Sequence, residues 1–131
     1  MRRVKELATT SQVAWCPIAG QPLIALGTNA GTLDLTFETK STLGLYSFDL
    51  AKSSTQLELV AQTEATDRFH RLTWSSWGSV DGTYPKGIIA GGSDNGLVTV
   101  FDPNAIEKYI FFSFYIILLF IKQIFSLEKG R

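Results

Sequence analysis

At 131 residues the chain has room for one small domain and not for two well-cored ones. Its 12 basic and 12 acidic side chains cancel and are spread along the sequence, so no basic stripe offers nucleic acid an electrostatic footprint. Cys16 is the single cysteine, which excludes an internal disulfide and a cysteine-based zinc site and fits a reducing cytosol.

The opening MRRVKELATTSQ carries charge with no apolar core behind it, so it does not read as a secretory signal. Strand signals follow. VAWCP places Val13 and Trp15 on one face and stops at Pro17. PLIALGT is a short apolar run ended by Gly27, and GTLDLTFET alternates Leu33, Leu35 and Phe37. TLGLYSFDL alternates Leu43, Leu45 and either Tyr46 or Phe48. LELVAQT, RLTWSSW, GIIAGG and LVTVFDP come next, each bounded by Gly, Pro, Asn, Asp or Ser. No stretch before Asn104 keeps a helical period for three turns. This part of the chain is expected to be all-β.

The order of these runs repeats. VAWCP, PLIALGTNAG and LGLYSFDL match RLTWSSWG, GIIAGGSDNG and LVTVFDP in turn. Trp15 answers Trp74, Ala25-Leu26-Gly27 answers Ala90-Gly91-Gly92, and Phe48-Asp49 answers Phe101-Asp102. The first unit carries an extra piece at about residues 31–40 and the second a long link at about residues 78–86. Two copies of one strand unit suggest radial β-repetition of the propeller kind. The glycines of IIAGGSDNG do not form a phosphate loop, because Gly96 leads into Leu97 and Val98, not into Lys, Ser or Thr and a helix. Asn95-Gly96 reads as a two-residue hairpin turn, in which both central residues take positive φ cheaply. Gly91 and Gly92 read as positions where neighbouring strands pack closely.

SDNGLVTVFD, Ser93–Asp102, resembles the end of a WD repeat. Asn95 stands at that repeat's Asp, Phe101 at its Trp, and His70 answers its upstream His. A closer resemblance covers about residues 4–106. AWCP, PLIALGT, GTLDLTFETKSTLGLYSFDL, DRFHRLTW and IIAGGSDNGLVTVFDPNAI together resemble the N-terminus of the larger WD-repeat and α-solenoid subunit of the COPII outer coat. The resemblance implies a non-catalytic scaffold in endoplasmic reticulum-to-Golgi vesicle transport, on the cytoplasmic face of the membrane. It also implies protein partners: the smaller WD-repeat outer-coat subunit and the inner-coat subunits, whose binding segments lie later in the family's chains. Two blades alone do not close a ring of about four to eight, so the chain is expected to have little cage-forming activity by itself.

From Tyr109 the text changes to YIFFSFYIILLFIKQIFSLEKGR, and a boundary is expected near Ile106, with 1–106 the β part and 107–131 an apolar tail. Tyr109 to Leu127 is a candidate transmembrane segment of 19 residues, 13 of them Phe, Ile or Leu. Those residues favour insertion by roughly 4–8 kcal/mol, against about 2.5–3.5 kcal/mol for a central Lys, and Lys122 lies off centre where it can snorkel. Three readings of the tail stand: a selected anchor, an apolar helix folded on the sheets, or translated non-coding sequence. Carbonate extraction separates them in part, since an inserted tail stays with membranes and a peripheral chain is released.

Catalytic, cofactor and metal sites are not expected. Asp67, His70 and Ser75 lie close in sequence without a nucleophile elbow or oxyanion loop. Asp34 and Glu38 fall on the polar side of an alternating run. Trp15, Trp74 and Trp77 lack the basic neighbours of a base-stacking platform and read as core between blades. The sequence reading is thus an all-β chain, a partial WD-repeat-like β-propeller of about two blades with a C-terminal apolar helix. The alternative is a tail-anchored membrane protein with a small cytosolic β interaction domain.

Overall fold

The computed structural model describes residues 2–29, 40–107, 121–124 and 126. Among the described residues seven strands form: β1 Ser11–Trp15, β2 Leu23–Thr28, β3 Ser41–Ser47, β4 Glu58–Ala65, β5 Phe69–Ser75, β6 Ile88–Ser93 and β7 Val98–Phe101. They make two antiparallel sheets of consecutive strands, β1-β2-β3-β4 and β5-β6-β7. The expected run LDLTFET lies outside the described residues.

The two sheets share one register. Trp15 pairs with Ile24 and Ile24 with Tyr46 in the first sheet; Trp74 pairs with Ile89 and Ile89 with Phe101 in the second. The adjoining row of the first sheet is Ala14, Ala25, Leu45 and Ala61, and its counterpart in the second is Thr73, Ala90 and Val100. This corrects the sequence alignment at one point. Phe101 answers Tyr46, not Phe48, because Phe48 lies beyond the end of β3. The error is two residues, which preserves the face and so leaves the apolar pattern unchanged.

Alternation gives each sheet one face rich in aromatic and other bulky side chains and one that mixes small residues with leucine or valine. In the first sheet the bulky face holds Val13, Trp15, Ile24, Leu26 and Tyr46. The other carries Ala14, Ala25, Gly27, Leu43, Leu45 and Ala61. In the second sheet the bulky face holds Leu72, Trp74, Ile89 and Phe101. The small or β-branched face holds Thr73, Ala90, Gly92, Val98 and Val100. Phe69 joins the bulky face through a bulge: the register shifts between Phe69 and Arg71, which leaves His70 as the extra residue facing water.

The core forms where the small face of the first sheet meets the bulky face of the second. Ala14, Leu23, Ala25, Leu43, Leu45 and Ala61 bury against Phe69, Leu72, Trp74 and Ile89. The sheets approach most closely along β1 and β5 and part toward their outer strands. Phe69 sets their separation. A Cβ on Gly27 of the first sheet would stand 2.6 Å from one edge of its ring, and a Cβ on Gly91 would stand 2.5 Å from the opposite edge. The closeness expected at Gly91 is therefore made by an aromatic ring, and Gly92, with nothing within 4 Å of its Cβ direction, has no part in it.

Two further expectations are corrected. Trp15 and Trp77 are 59% and 64% exposed, and only Trp74 is buried. Trp15 lies on the bulky face of the first sheet, which no sheet among the described residues covers, edge-on to Phe48 with centroids 4.7 Å apart. Trp77 lies in the link after β5 and tilts against Tyr84 at 5.6 Å. The β6–β7 turn has three residues, not two. Gly96 N–H donates to Ser93 O at 3.0 Å and Ser93 N–H to Leu97 O at 2.9 Å. Asp94 and Asn95 thus form the turn, and Gly96 follows at φ 81°, a type I turn with a glycine bulge.

After β7 the chain makes a helical turn at 103–107. The Asp102 carboxylate caps it by accepting from Asn104 N–H at 2.9 Å, and Pro103 occupies the first position, where no N–H is needed. Ile106 enters the core from this turn. Residues 121–124 are also helical. The N-terminal leader crosses the loop before β4: Glu6 bridges Gln56 in parallel, Glu6 N–H donates to Thr55 O at 2.7 Å, and Lys5 Nζ donates to the carbonyls of Lys52 and Ser54.

Because the Phe69 ring is pinched from both edges, it cannot give way to an added methyl. Gly27→Ala and Gly91→Ala are each expected to destabilise the chain by about 1–3 kcal/mol, read from urea denaturation midpoints. Gly92→Ala, one residue away, is expected to change the midpoint little.

Candidate protein-interaction surface

Polar contacts cluster at the β5 entry and the β6–β7 turn. Asp94 binds Arg68 at 2.8 Å through one carboxylate oxygen and His70 Nε2 through the other. Asp94 N–H also donates to Arg68 O at 3.0 Å, so the turn is tied to the start of β5 by backbone and side chain together. Asn95 takes a different part. Its Oδ1 accepts from Leu97 N–H at 3.1 Å and its amide reaches Thr66 Oγ1 at 3.3 Å. His70 therefore engages Asp94, one position before the Asn95 that the WD-repeat resemblance put in the repeat's Asp position. Arg68 and Asp94 were missed by sequence reasoning, although the alternation-breaking FHR before LTW was a signal for the bulge that turns His70 outward.

The other titratable residues considered from the sequence stay apart. Asp67 accepts from Arg68 N–H at 2.7 Å and Ser75 Oγ from Trp77 N–H at 3.2 Å, each capping its own turn. His70 is 74% exposed at its side chain. Asp34 and Glu38 lie outside the described residues. Among the described residues no group of three or more His, Cys, Asp or Glu is placed to hold a metal ion.

A second polar junction joins the long link to the helical turn. The Trp74 indole N–H donates to Lys86 O at 2.7 Å, and the Lys86 ammonium pairs with both Glu107 carboxylate oxygens, their side chains 19% and 24% exposed. Gly87, next in sequence, has φ 70° and a Cβ direction that meets Ser75 O at 1.9 Å, so no other residue fits there. Cys16 packs against the core. Its thiol is pushed above the usual cysteine range, chiefly by burial, with the Ile18 backbone and the Lys86 charge acting against that rise.

Several bulky apolar side chains are also exposed. Val13 and Trp15 of β1 and Leu59 of β4 are 48%, 59% and 49% exposed on one sheet face; Val98 and Val100 of β7 are 75% and 60% exposed on another. A hollow of about 250 Å³ between β4 and the end of β7 is lined by Thr63, Val100, Phe101 and Ile106 and brings no nucleophile and base together. Tyr109 to Leu127 falls outside the described residues except at 121–124 and 126. Among the described residues no helix is long and apolar enough to cross a membrane, and nothing there favours the tail-anchored alternative.

The fold and its surface define an antiparallel β protein of two sheets with matching register, each showing exposed apolar side chains among the described residues. No family model matches the chain. It is 37% identical over 107 residues to protein transport protein SEC31 of Dictyostelium discoideum, and 36% identical over 109 residues to SEC31 of Phaeosphaeria nodorum. It is 31% identical over 105 residues to Sec31A of Danio rerio. These stretches cover 81%, 82% and 79% of this chain and 8% of each relative. Over about four fifths of its own length the chain belongs with the Sec31 proteins, and it spans about 8% of theirs.

Two measurements check this surface. Glu107→Ala leaves the Lys86 ammonium without its partner in a mostly buried place and is expected to cost about 1–3 kcal/mol in urea. Cys16, with its thiolate disfavoured, is expected to react with a disulfide reagent at neutral pH more slowly in the native chain than in the urea-unfolded chain.

Proposed function

We propose that the chain is a non-catalytic scaffold segment of the COPII outer coat, acting in transport from the endoplasmic reticulum to the Golgi on the cytoplasmic side of the membrane. In this reading the two sheets are neighbouring blades of a WD-repeat-like propeller. The likeness to SEC31 of Dictyostelium discoideum over 107 residues carries the reading, and the equal register of the two sheets supports the blade assignment. In a propeller each blade buries one face on its predecessor and the other on its successor, and the closest approach lies near the axis. Burial of the small face of one sheet by the bulky face of the next agrees with that plan.

The function so proposed is docking. Partners would be the smaller WD-repeat outer-coat subunit and the inner-coat subunits, engaged by the coat protein of which such a segment forms a part. The chemistry on the page suits that role. Arg68, His70 and Asp94 are tied into a turn, and Asp67 and Asp102 accept from neighbouring backbone N–H groups.

A chimera tests the proposal. The aligned stretch of Dictyostelium discoideum SEC31 is replaced by that of this chain, and export of a secretory cargo is followed in cells that depend on the chimera. Cargo is expected to leave the endoplasmic reticulum with near-normal kinetics. A chimera that accumulates as a folded protein yet stays off the coat would overturn the assignment.

A further inference from the structure

We infer that residues 5–10 form a strap across the bulky face of β1–β4, with Leu7 seated over Ile24 and Leu26, and that this strap detaches from its Lys5 end. The inference rests on burial and connectivity and stands independently of the coat reading.

Ile24 and Leu26 of β2 lie on the face turned away from the second sheet, yet they are 7% and 8% exposed. Val13 and Trp15, on the same face in β1, are 48% and 59% exposed. A packed sheet would bury β1 as well, so the cover is narrow. The face is shaped to take one. The Tyr46 ring folds back over Gly44, where a Cβ would meet it at 2.7 Å, and walls the β3 side. Val13 and Trp15 wall the β1 side, which leaves Ile24 and Leu26 as the floor of a furrow.

Connectivity brings the leader to that furrow, because it is fixed at both ends. Asn29 N–H donates to Thr10 O at 3.2 Å, which holds Thr10 beside the end of β2. Glu6 N–H donates to Thr55 O, and Glu6 bridges Gln56, two residues before β4. The anchors belong to opposite corners of the sheet: Ser11 pairs with Thr28 at one end, and Glu58 with Ser47 at the other. Three strand spacings of about 4.8 Å place β4 about 14 Å from β1. From Glu6 to Thr10 the chain reaches at most about 14 Å. A detour round the sheet does not fit that length, and the second sheet fills the inner face. The leader therefore crosses the outer face directly, and the loop before β4 turns over that face to meet it.

The burial along the leader agrees. Lys5 and Leu7 are half-buried, whereas Val4, Glu6 and Ala8 are exposed, the period of two expected of an extended segment with one side against the protein. Lys5 turns to the carbonyls of Lys52 and Ser54, and Leu7 is left for the furrow. The two ends are held differently. At Thr10 the strap continues the β1–β2 ladder, while at Lys5 and Glu6 it grips a loop whose residues 51–56 are all exposed. Opening starts where exposed polar contacts hold a segment, so the Lys5 end lifts first. Lifting it bares Ile24 and Leu26, and the strap thus sets how much apolar surface the first sheet shows.

Thiol labelling of Leu26→Cys in a full chain carrying Cys16→Ser tests the strap, with Val100→Cys as an exposed control on the second sheet. Leu26→Cys is expected to react more slowly than Val100→Cys. Adding Lys5→Ala and Leu7→Ser is expected to speed Leu26→Cys by at least about tenfold, because local opening governs access, and to leave Val100→Cys unchanged. A Leu26→Cys that stays protected when the strap is weakened overturns the inference, since the cover would then lie outside residues 5–10. If the substituted chains do not fold, or react faster at both sites, the parent chain decides. Nuclear Overhauser contacts from the Leu7 methyls to those of Ile24 or Leu26 are expected there, and their absence overturns the inference as well.

Discussion

The fold depends on the Phe69 ring held between Gly27 and Gly91. A fully buried phenylalanine contributes about 3–5 kcal/mol, judged from truncation in protein cores, which is a large share of the stability of any small domain. Here it also fixes geometry. The ring spans the gap between two sheets that would otherwise be joined through alanines and leucines, and it needs a glycine on each side to fit. The bulge at His70 puts Phe69 on the correct face, and the Asp94 contacts to Arg68 and His70 hold that bulge in place. A polar cluster at the surface thereby positions the largest fully buried side chain.

Much of this organisation was legible in the sequence because alternation and punctuation are local signals. Each of the seven described strands overlaps a run that could be marked from apolar spacing and bounding Gly, Pro or Asp. However, β1 and β5 begin two residues before VAWCP and RLTWSSW, and β4 ends two after LELVAQT. The internal repeat emerged from the order of those runs. The register slip between Phe48 and Tyr46 was not avoidable on the same grounds. A shift of two residues keeps every side chain on its face, and only the hydrogen-bond ladder distinguishes the two alignments. The β6–β7 turn misled for a related reason. Asn-Gly suits a two-residue turn, yet Asp94 can lengthen the loop by one residue because its carboxylate and N–H both find partners across the turn at β5.

The tryptophans show where local reading stops. Trp15 and Trp74 occupy equivalent positions in equivalent strands, and nothing in the flanking residues separates them. One is buried and the other exposed because a sheet covers only one of the two faces concerned. That distinction belongs to neighbours in space. Arg68 and Asp94 escaped notice likewise, being far apart in sequence and joined only after β5 and β6 pair. The surface was therefore less legible than the strands that display it, while the relation to Sec31 proteins was carried by whole phrases of sequence.

The leader crossing the loop before β4 bears on the order in which the molecule assembles. Arg3, Lys5 and Glu6 come first in sequence, but Lys5 and Glu6 attach to residues 52–56, nearly fifty positions later. Closing so large a loop is entropically costly and gains little until the loop before β4 exists. Lys5 and Glu6 would thus settle late, resting on a loop that must form without them. Their clasp forms after that loop and acts on it as a latch.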